Sequence, residues 1–125
     1  MKTDFCFLRQ VHPKFINDGK LSSQAFSPFL KDNGKLSVYD DRLISPEQSF
    51  VHYTQCLCLA SVGVWGVSNF EVLETGLTHR PDPLPDSPAH ALIVFETATV
   101  NERRKMAKKL KIFAEKRGCM YVPET

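Results

Sequence analysis

AHALIVFE at Ala89–Glu96, followed by TVNERRKMAKKLKIFAEKRG at Thr99–Gly118, is the stretch whose reading decides the fold. The first run is short and nearly all apolar, with β-branched Ile93 and Val94 at its centre, which predicts a central buried strand. Thr99 is a helix cap with Glu102 at the capping-box position. Met106, Ala107, Leu110, Phe113 and Ala114 then recur at helical spacing, and Gly118 closes the helix. A strand running straight into a long amphipathic helix makes the chain at least part α, part β.

Working back from this pair, Arg80–Pro88 holds four prolines and two aspartates in nine residues. It reads as a rigid extended connector that rests Leu84 on the body. Its Pro85-x-x-Pro88 fits the minimal polyproline-ligand pattern, although the flanks are acidic, so a partner-binding arm is the alternative. Ser68 with Glu71 repeats the capping logic for a short helix closed by Gly76. Val62–Val67 reads as a buried strand whose two glycines imply close backbone approach. Ser45-Pro46-Glu47-Gln48 starts a helix carrying Phe50, Tyr53 and Leu57 on one face and ending near Cys58–Ala60. In the first forty residues, strands are expected at Phe5–Val11, Lys20–Ser27 and Leu36–Tyr39. Turns are expected at Asn17-Asp18-Gly19 and Lys31-Asp32-Asn33-Gly34. The expected product is one α+β domain over residues 1–125. Its mixed or antiparallel sheet of about five strands is packed by two main helices.

Composition bounds the function. The 125 residues carry a net charge of +2, which hides an uneven distribution. Asn101–Gly118 has eight Lys or Arg against two Glu, a balance of +6, so the rest of the chain stands at −4. A basic helix on an acidic body can bind an anionic partner or lie solvated across its own body. No apolar run approaches the ~20 residues of a membrane span. The N-terminal MKTDFCFL lacks the long apolar core and cleavage site of a secretory signal, so a soluble cytoplasmic protein without a membrane role is expected. In that compartment Cys6, Cys56, Cys58 and Cys119 are expected as reduced thiols, mostly packed as small hydrophobes.

Three site hypotheses follow. The first is a partner surface on the basic helix at Arg104, Lys105, Lys108, Lys109 and Lys111, which would make the chain a small binding or accessory protein for a protein partner. The second is a polar pocket around Arg9, His12, Ser23, Ser37 and Tyr39, in a small enzyme or ligand-binding protein for a small molecule. There His12 would act as acid or base and Arg9 as a bidentate anion clamp. The third is nucleic-acid binding by the same helix. It is weakened because the helix's one aromatic residue, Phe113, lies on the apolar stripe and not among the cations. No G-x-S-x-G elbow, G-x-G-x-x-G loop or P-loop occurs, so no nucleophile is assigned and no cofactor is expected. No metal is expected either. His12, His52, His79 and His90 include no pair spaced as in H-E-x-x-H, and Cys56-x-Cys58 is closer than the usual zinc-knuckle spacing. Unpaired edge strands leave room for a homodimer.

His12-Pro13-x-Phe15, Ser22-Ser23-Gln24-Ala25-Phe26, Leu36-Ser37-Val38-Tyr39 and Pro81-Asp82-Pro83-Leu84-Pro85-Asp86-x-Pro88-Ala89-His90 resemble small bacterial proteins of about this length that have no assigned activity. The likeness covers roughly the first ninety residues discontinuously and implies no catalytic residue. The chain is also similar in kind to accessory proteins carried on mobile gene cassettes.

Overall fold

The computed structural model describes residues 4–28, 34–95 and 98–123. In chain order the elements are β1 (Cys6–Val11), a small hairpin of β2 (Ile16–Asn17) and β3 (Lys20–Leu21), and β4 (Lys35–Asp40). They continue with α1 (Pro46–Val51), β5 (Gly63–Ser68), α2 (Asn69–Glu74), β6 (Thr78–Pro81), β7 (His90–Val94) and α3 (Val100–Arg117). Five strands form one antiparallel sheet in the order β5-β1-β4-β7-β6. The architecture is therefore α+β with a wholly antiparallel main sheet. Residues 31–33 of the turn expected at Lys31–Gly34, and Glu96 at the end of the expected central strand, lie outside the described residues.

Alternation along the strands divides the apolar side chains between two layers. Phe7 and Val11 of β1, Leu36 and Val38 of β4, Val67 of β5 and Ala91 and Ile93 of β7 face one side. There they meet Ala107, Leu110 and Ala114 of α3 and Val72 of α2. Leu8, Tyr39 and Val64 face the other side, against Phe50 and Tyr53 from the α1 region and Met120 and Tyr121 from the C-terminal segment. The middle strand is β4. β7 lies between β4 and β6, so the most apolar run is interior without being central.

Local chemistry explains the elements. Ser45, Ser68 and Thr99 each accept a hydrogen bond from the N–H three residues on, and Gln48, Glu71 and Glu102 return one, completing three capping boxes. Asp18 and Gly19 both take positive φ, at 52° and 76°, the geometry that a two-residue hairpin loop requires between β2 and β3. At Gly63 a Cβ would sit 2.9 Å from the Tyr121 carbonyl oxygen, so the C-terminal segment closes on β5 only over glycine. Tyr121 makes a single bridge to Val64 there.

Three segments depart from the sequence reading. The strand expected over Lys20–Ser27 stops at Leu21, and Ser23–Phe26 forms a 3-10 turn capped by Ser22. Ala25 and Phe26 are consecutive and both fully buried, which a period-two strand buried on one face does not allow. The Ser45 helix passes at His52 into a π-helical turn ending at Cys56, short of Cys58–Ala60. The proline-rich connector is a hairpin loop: Arg80 and Pro81 belong to β6, the Asp82 N–H donates to His90 O at 2.9 Å, and Leu84 and Ser87 exchange backbone bonds at 2.9 and 3.1 Å. Pro83 and Pro85 occupy loop positions that need no amide donor. No helix among the described residues is long and apolar enough to cross a membrane.

Candidate functional site

The cations of α3 divide by what they touch. Arg117 reaches off the helix end: Nη1 donates to the Gly66 carbonyl at 2.9 Å and to Glu71 Oε1 at 2.8 Å, and Nη2 to Glu71 Oε2 at 3.0 Å. Burial alone would raise the Glu71 carboxyl, but the hydrogen bonds from Arg117 and Ser68 outweigh it and hold the group below its ordinary value. Lys111 pairs along the helix with Glu115 at 3.2 Å, and Arg103 Nε donates to the Ala98 carbonyl at 3.1 Å. Arg104, Lys105, Lys108 and Lys109 make no ion pair among the described residues.

The 3-10 turn at Ser23–Phe26 lies against α3, because Ala25 and Phe26 enter the same core as Ala107 and Leu110. Two grooves run along this seam. One, of about 370 Å³, is lined by Ser23, Gln24, Ser27, Arg104 and Lys108, with Val100 at its edge and Arg103 and Pro28 completing it. The other, of about 420 Å³, is lined by Lys20, Ser22, Ser23, Lys108 and Lys111, with Ile112 at its edge and Asn17 and Leu21 completing it. Ser23 and Lys108 line both, so the two are one track. Five cations and no carboxylate line it. Val100 and Ile112, 62% and 53% exposed, place an apolar side chain at either end. Such a track offers charge for carboxylates or phosphates, hydroxyl and amide groups for hydrogen bonds, and two apolar contacts.

A cavity of about 310 Å³ at the far end of the sheet differs in kind, with Asp40, Arg42, His79 and His90 among its lining groups. Arg80 also lines it, and its Asp40 and Arg42 are matched to each other. Arg42 grips Asp40 through Nη2 at 2.7 Å and Nε at 3.0 and 3.2 Å, and its guanidinium stacks 3.5 Å over the Phe5 ring. Burial opposes ionisation of Asp40, and the Arg42 hydrogen bonds overcome it, leaving the carboxyl below its ordinary value. His79 is lowered by burial and then by Arg42. This is a structural clasp on the loop after β4.

The residues of the polar-pocket hypothesis do not gather in one place. Arg9 is buried under the 3-10 turn, donating from Nε to Ala25 O at 2.7 Å and from Nη1 to Ser37 O at 2.9 Å. His12 caps the 3-10 turn Pro13–Phe15, its Nδ1 accepting from the Lys14 N–H at 3.1 Å. Tyr39 pairs in register with Leu8 and faces the opposite layer from Arg9, where its hydroxyl lies 2.6 Å from His52 Nδ1. Ser37, on the same strand face as Tyr39, is exposed. Of the five, only Ser23 reaches the track. Lys105 and Lys109 are exposed on α3 but line neither groove. Lys20, Ser27, Val100 and Ile112 are lining residues that the sequence reading missed. The usable signal was in α3: Ile112 lies off the stripe of Ala107, Leu110 and Ala114, while Val100, seven residues before Ala107, extends that stripe to the helix start and is still 62% exposed. Comparison with known proteins finds no protein-family profile, no curated protein and no solved structure that matches this chain.

Proposed function

We propose that this is a binding protein of the accessory kind that holds an acidic segment of a partner protein along the track between α3 and the Ser23–Phe26 turn. The observation that carries the reading is the convergence of Arg104, Lys108 and Lys111 with Ser23 on one carboxylate-free track with Val100 and Ile112 at its ends. Cations supply attraction and association rate, while the apolar ends supply desolvated contact. Lys105 and Lys109, on the outer face of the helix, add to the long-range field. An acidic peptide chain suits the track better than nucleic acid. Its edges present aliphatic side chains, and stacking of bases calls for aromatic ones.

Fluorescence anisotropy tests this with a labelled peptide of Asp and Glu bearing one Leu near each end, beside a single-stranded DNA of equal charge, at low and moderate salt. The peptide is expected to bind more tightly than the DNA, to weaken with salt, and to lose at least about tenfold in affinity to the double variant Arg104→Glu, Lys108→Glu. Equal binding of that variant refutes the site. Tighter binding of the DNA with a steep salt dependence transfers the surface to nucleic acid.

A further inference from the structure

On the other side of the sheet from the basic track, three groups with metal-ligating chemistry converge without a use in the reading above. His52 and Cys56 stand one turn apart in the π-helical segment that follows α1, and Asp86 comes in from the β6–β7 loop. One ligand atom from each, His52 N, Cys56 Sγ and an Asp86 carboxylate oxygen, lies within 4.8 Å of the other two. His52 is only 7% exposed and its Nε2 is fully buried. The Asp86 carboxylate stands 3.1 Å from Nε2, at ion-pair distance for a protonated ring, but the geometry is poor for a hydrogen bond to this buried nitrogen. The other ring nitrogen, Nδ1, is committed to the Tyr39 hydroxyl at 2.6 Å. By contrast, the neighbouring His90 is satisfied through Nδ1, at 3.0 Å from the Asp82 carbonyl.

We propose that His52 Nε2, Cys56 Sγ and an Asp86 carboxylate oxygen form a binding site for a divalent transition metal, Zn²⁺ being the best match. The ligand set is mixed nitrogen, sulfur and oxygen, which suits a borderline-soft ion and excludes Mg²⁺ and Ca²⁺. Zinc bonds of about 2.0–2.3 Å require tetrahedral ligand separations of about 3.3–3.8 Å. Closing from 4.8 Å takes movements of an ångström or so, and the two groups that must move, Cys56 and Asp86, are the exposed ones. His52 is the fixed ligand. With Nε2 on the metal, Nδ1 keeps its proton and donates it to the Tyr39 oxygen, the outer hydrogen bond that orients a metal-bound imidazole. The Cys56 thiol releases its proton to water as the sulfur–metal bond forms. Three protein ligands leave a fourth position for water, on the side where Cys56 and Asp86 meet solvent. A π-turn is itself uncommon and often accompanies a site. Here it carries both His52 and Cys56. The expectation of no metal rested on finding no histidine four residues from another ligand and on the close Cys56-x-Cys58 spacing; it overlooked His52 and Cys56, which stand at that four-residue spacing.

The test is titration of the reduced full chain with Zn²⁺ by calorimetry and with Co²⁺ by absorbance. One equivalent of metal is expected, with a thiolate-to-cobalt charge-transfer band. Cys56→Ser should abolish the band and weaken Zn²⁺ by about a hundredfold, and Asp86→Asn should weaken it by about tenfold. Both positions are exposed, so the variants keep the fold, checked by circular dichroism. Tyr39→Phe should keep the band and weaken affinity by about tenfold or more, as expected of a positioning residue. Cys58→Ser and Cys119→Ser should bind as wild type. No binding by the wild type, or a band that follows Cys58 or Cys119 in place of Cys56, overturns the site and leaves the peptide track untouched.

Discussion

Replacing Arg117 by Ala separates the cations that hold the fold from those left for a partner. The guanidinium makes three hydrogen bonds at 2.8–3.0 Å, two to the Glu71 carboxylate and one to the Gly66 carbonyl. The side chains of Arg117 and Glu71 are 27% and 20% exposed, so the pair lies between a surface bridge, worth about 0–1 kcal/mol, and a buried charged hydrogen bond, worth about 1.5–3 kcal/mol. We take about 1–1.5 kcal/mol for the pair and about 0.5–1 kcal/mol for the bond to Gly66, or roughly 2 kcal/mol in all. A domain of this size loses about 3–5 °C in Tm per kcal/mol, which places Arg117→Ala about 6–10 °C below wild type. Glu71→Gln keeps an amide oxygen for the Ser68 N–H, so it removes the charge and spares the capping box. In a double-mutant cycle with Arg117→Ala it should recover a coupling of about 1–1.5 kcal/mol. Arg104→Ala and Lys108→Ala should stay within about 0.5 kcal/mol of wild type. Urea denaturation of the wild type and the five variants measures all of this. An Arg117→Ala protein as stable as wild type, or a Lys108→Ala protein as unstable as Arg117→Ala, would refute the division of the helix.

Leu110 is fully buried beneath α3, so Leu110→Ala should cost about 2–5 kcal/mol in urea denaturation. Ile112→Ala, at a position 53% exposed, should cost under about 0.5 kcal/mol there while weakening the acidic peptide in anisotropy. Acid should destabilise the fold through Glu71 and Asp40. Their folded carboxyls sit below the unfolded values, so the stability they contribute is fully present above the unfolded value and is lost as pH falls through the folded one. Tm measured downward from pH 6 should therefore decline below about pH 4–5, and Glu71→Gln should decline less steeply over the same range.

Local signals in this sequence were reliable where one short-range interaction decides the outcome. Ser45, Ser68 and Thr99 each start a helix because hydroxyl and N3 side chain satisfy amides within three residues. Asp18-Gly19 forms its turn because both residues tolerate positive φ. Segments decided by distant partners were misread. Ser23–Phe26 has a strand-like sequence, but burial of both Ala25 and Phe26 against α3 winds it into a turn. Arg80 and Pro81 look like a stiff arm because pairing with β7 cannot be seen in proline content. The same limit governs the sites. Ser23 and Lys108 are 85 positions apart, and nothing near either announces the other. Arg9 and Tyr39 are polar residues of neighbouring strands that register places on opposite faces. His52 and Cys56 were within reach of a spacing argument, but Asp86, from the β6–β7 loop, was not.

The claim that α3 and the Ser23–Phe26 turn form a binding track is tested most directly by NMR, titrating the isotope-labelled protein with the Leu-flanked acidic peptide. The account predicts shift changes concentrated at Ser23, Gln24, Val100, Arg104, Lys108, Lys111 and Ile112, with Arg42, His52 and Tyr39 unmoved. Shifts spread evenly over the exposed lysines, or centred on the cavity around Asp40 and Arg42, would contradict it.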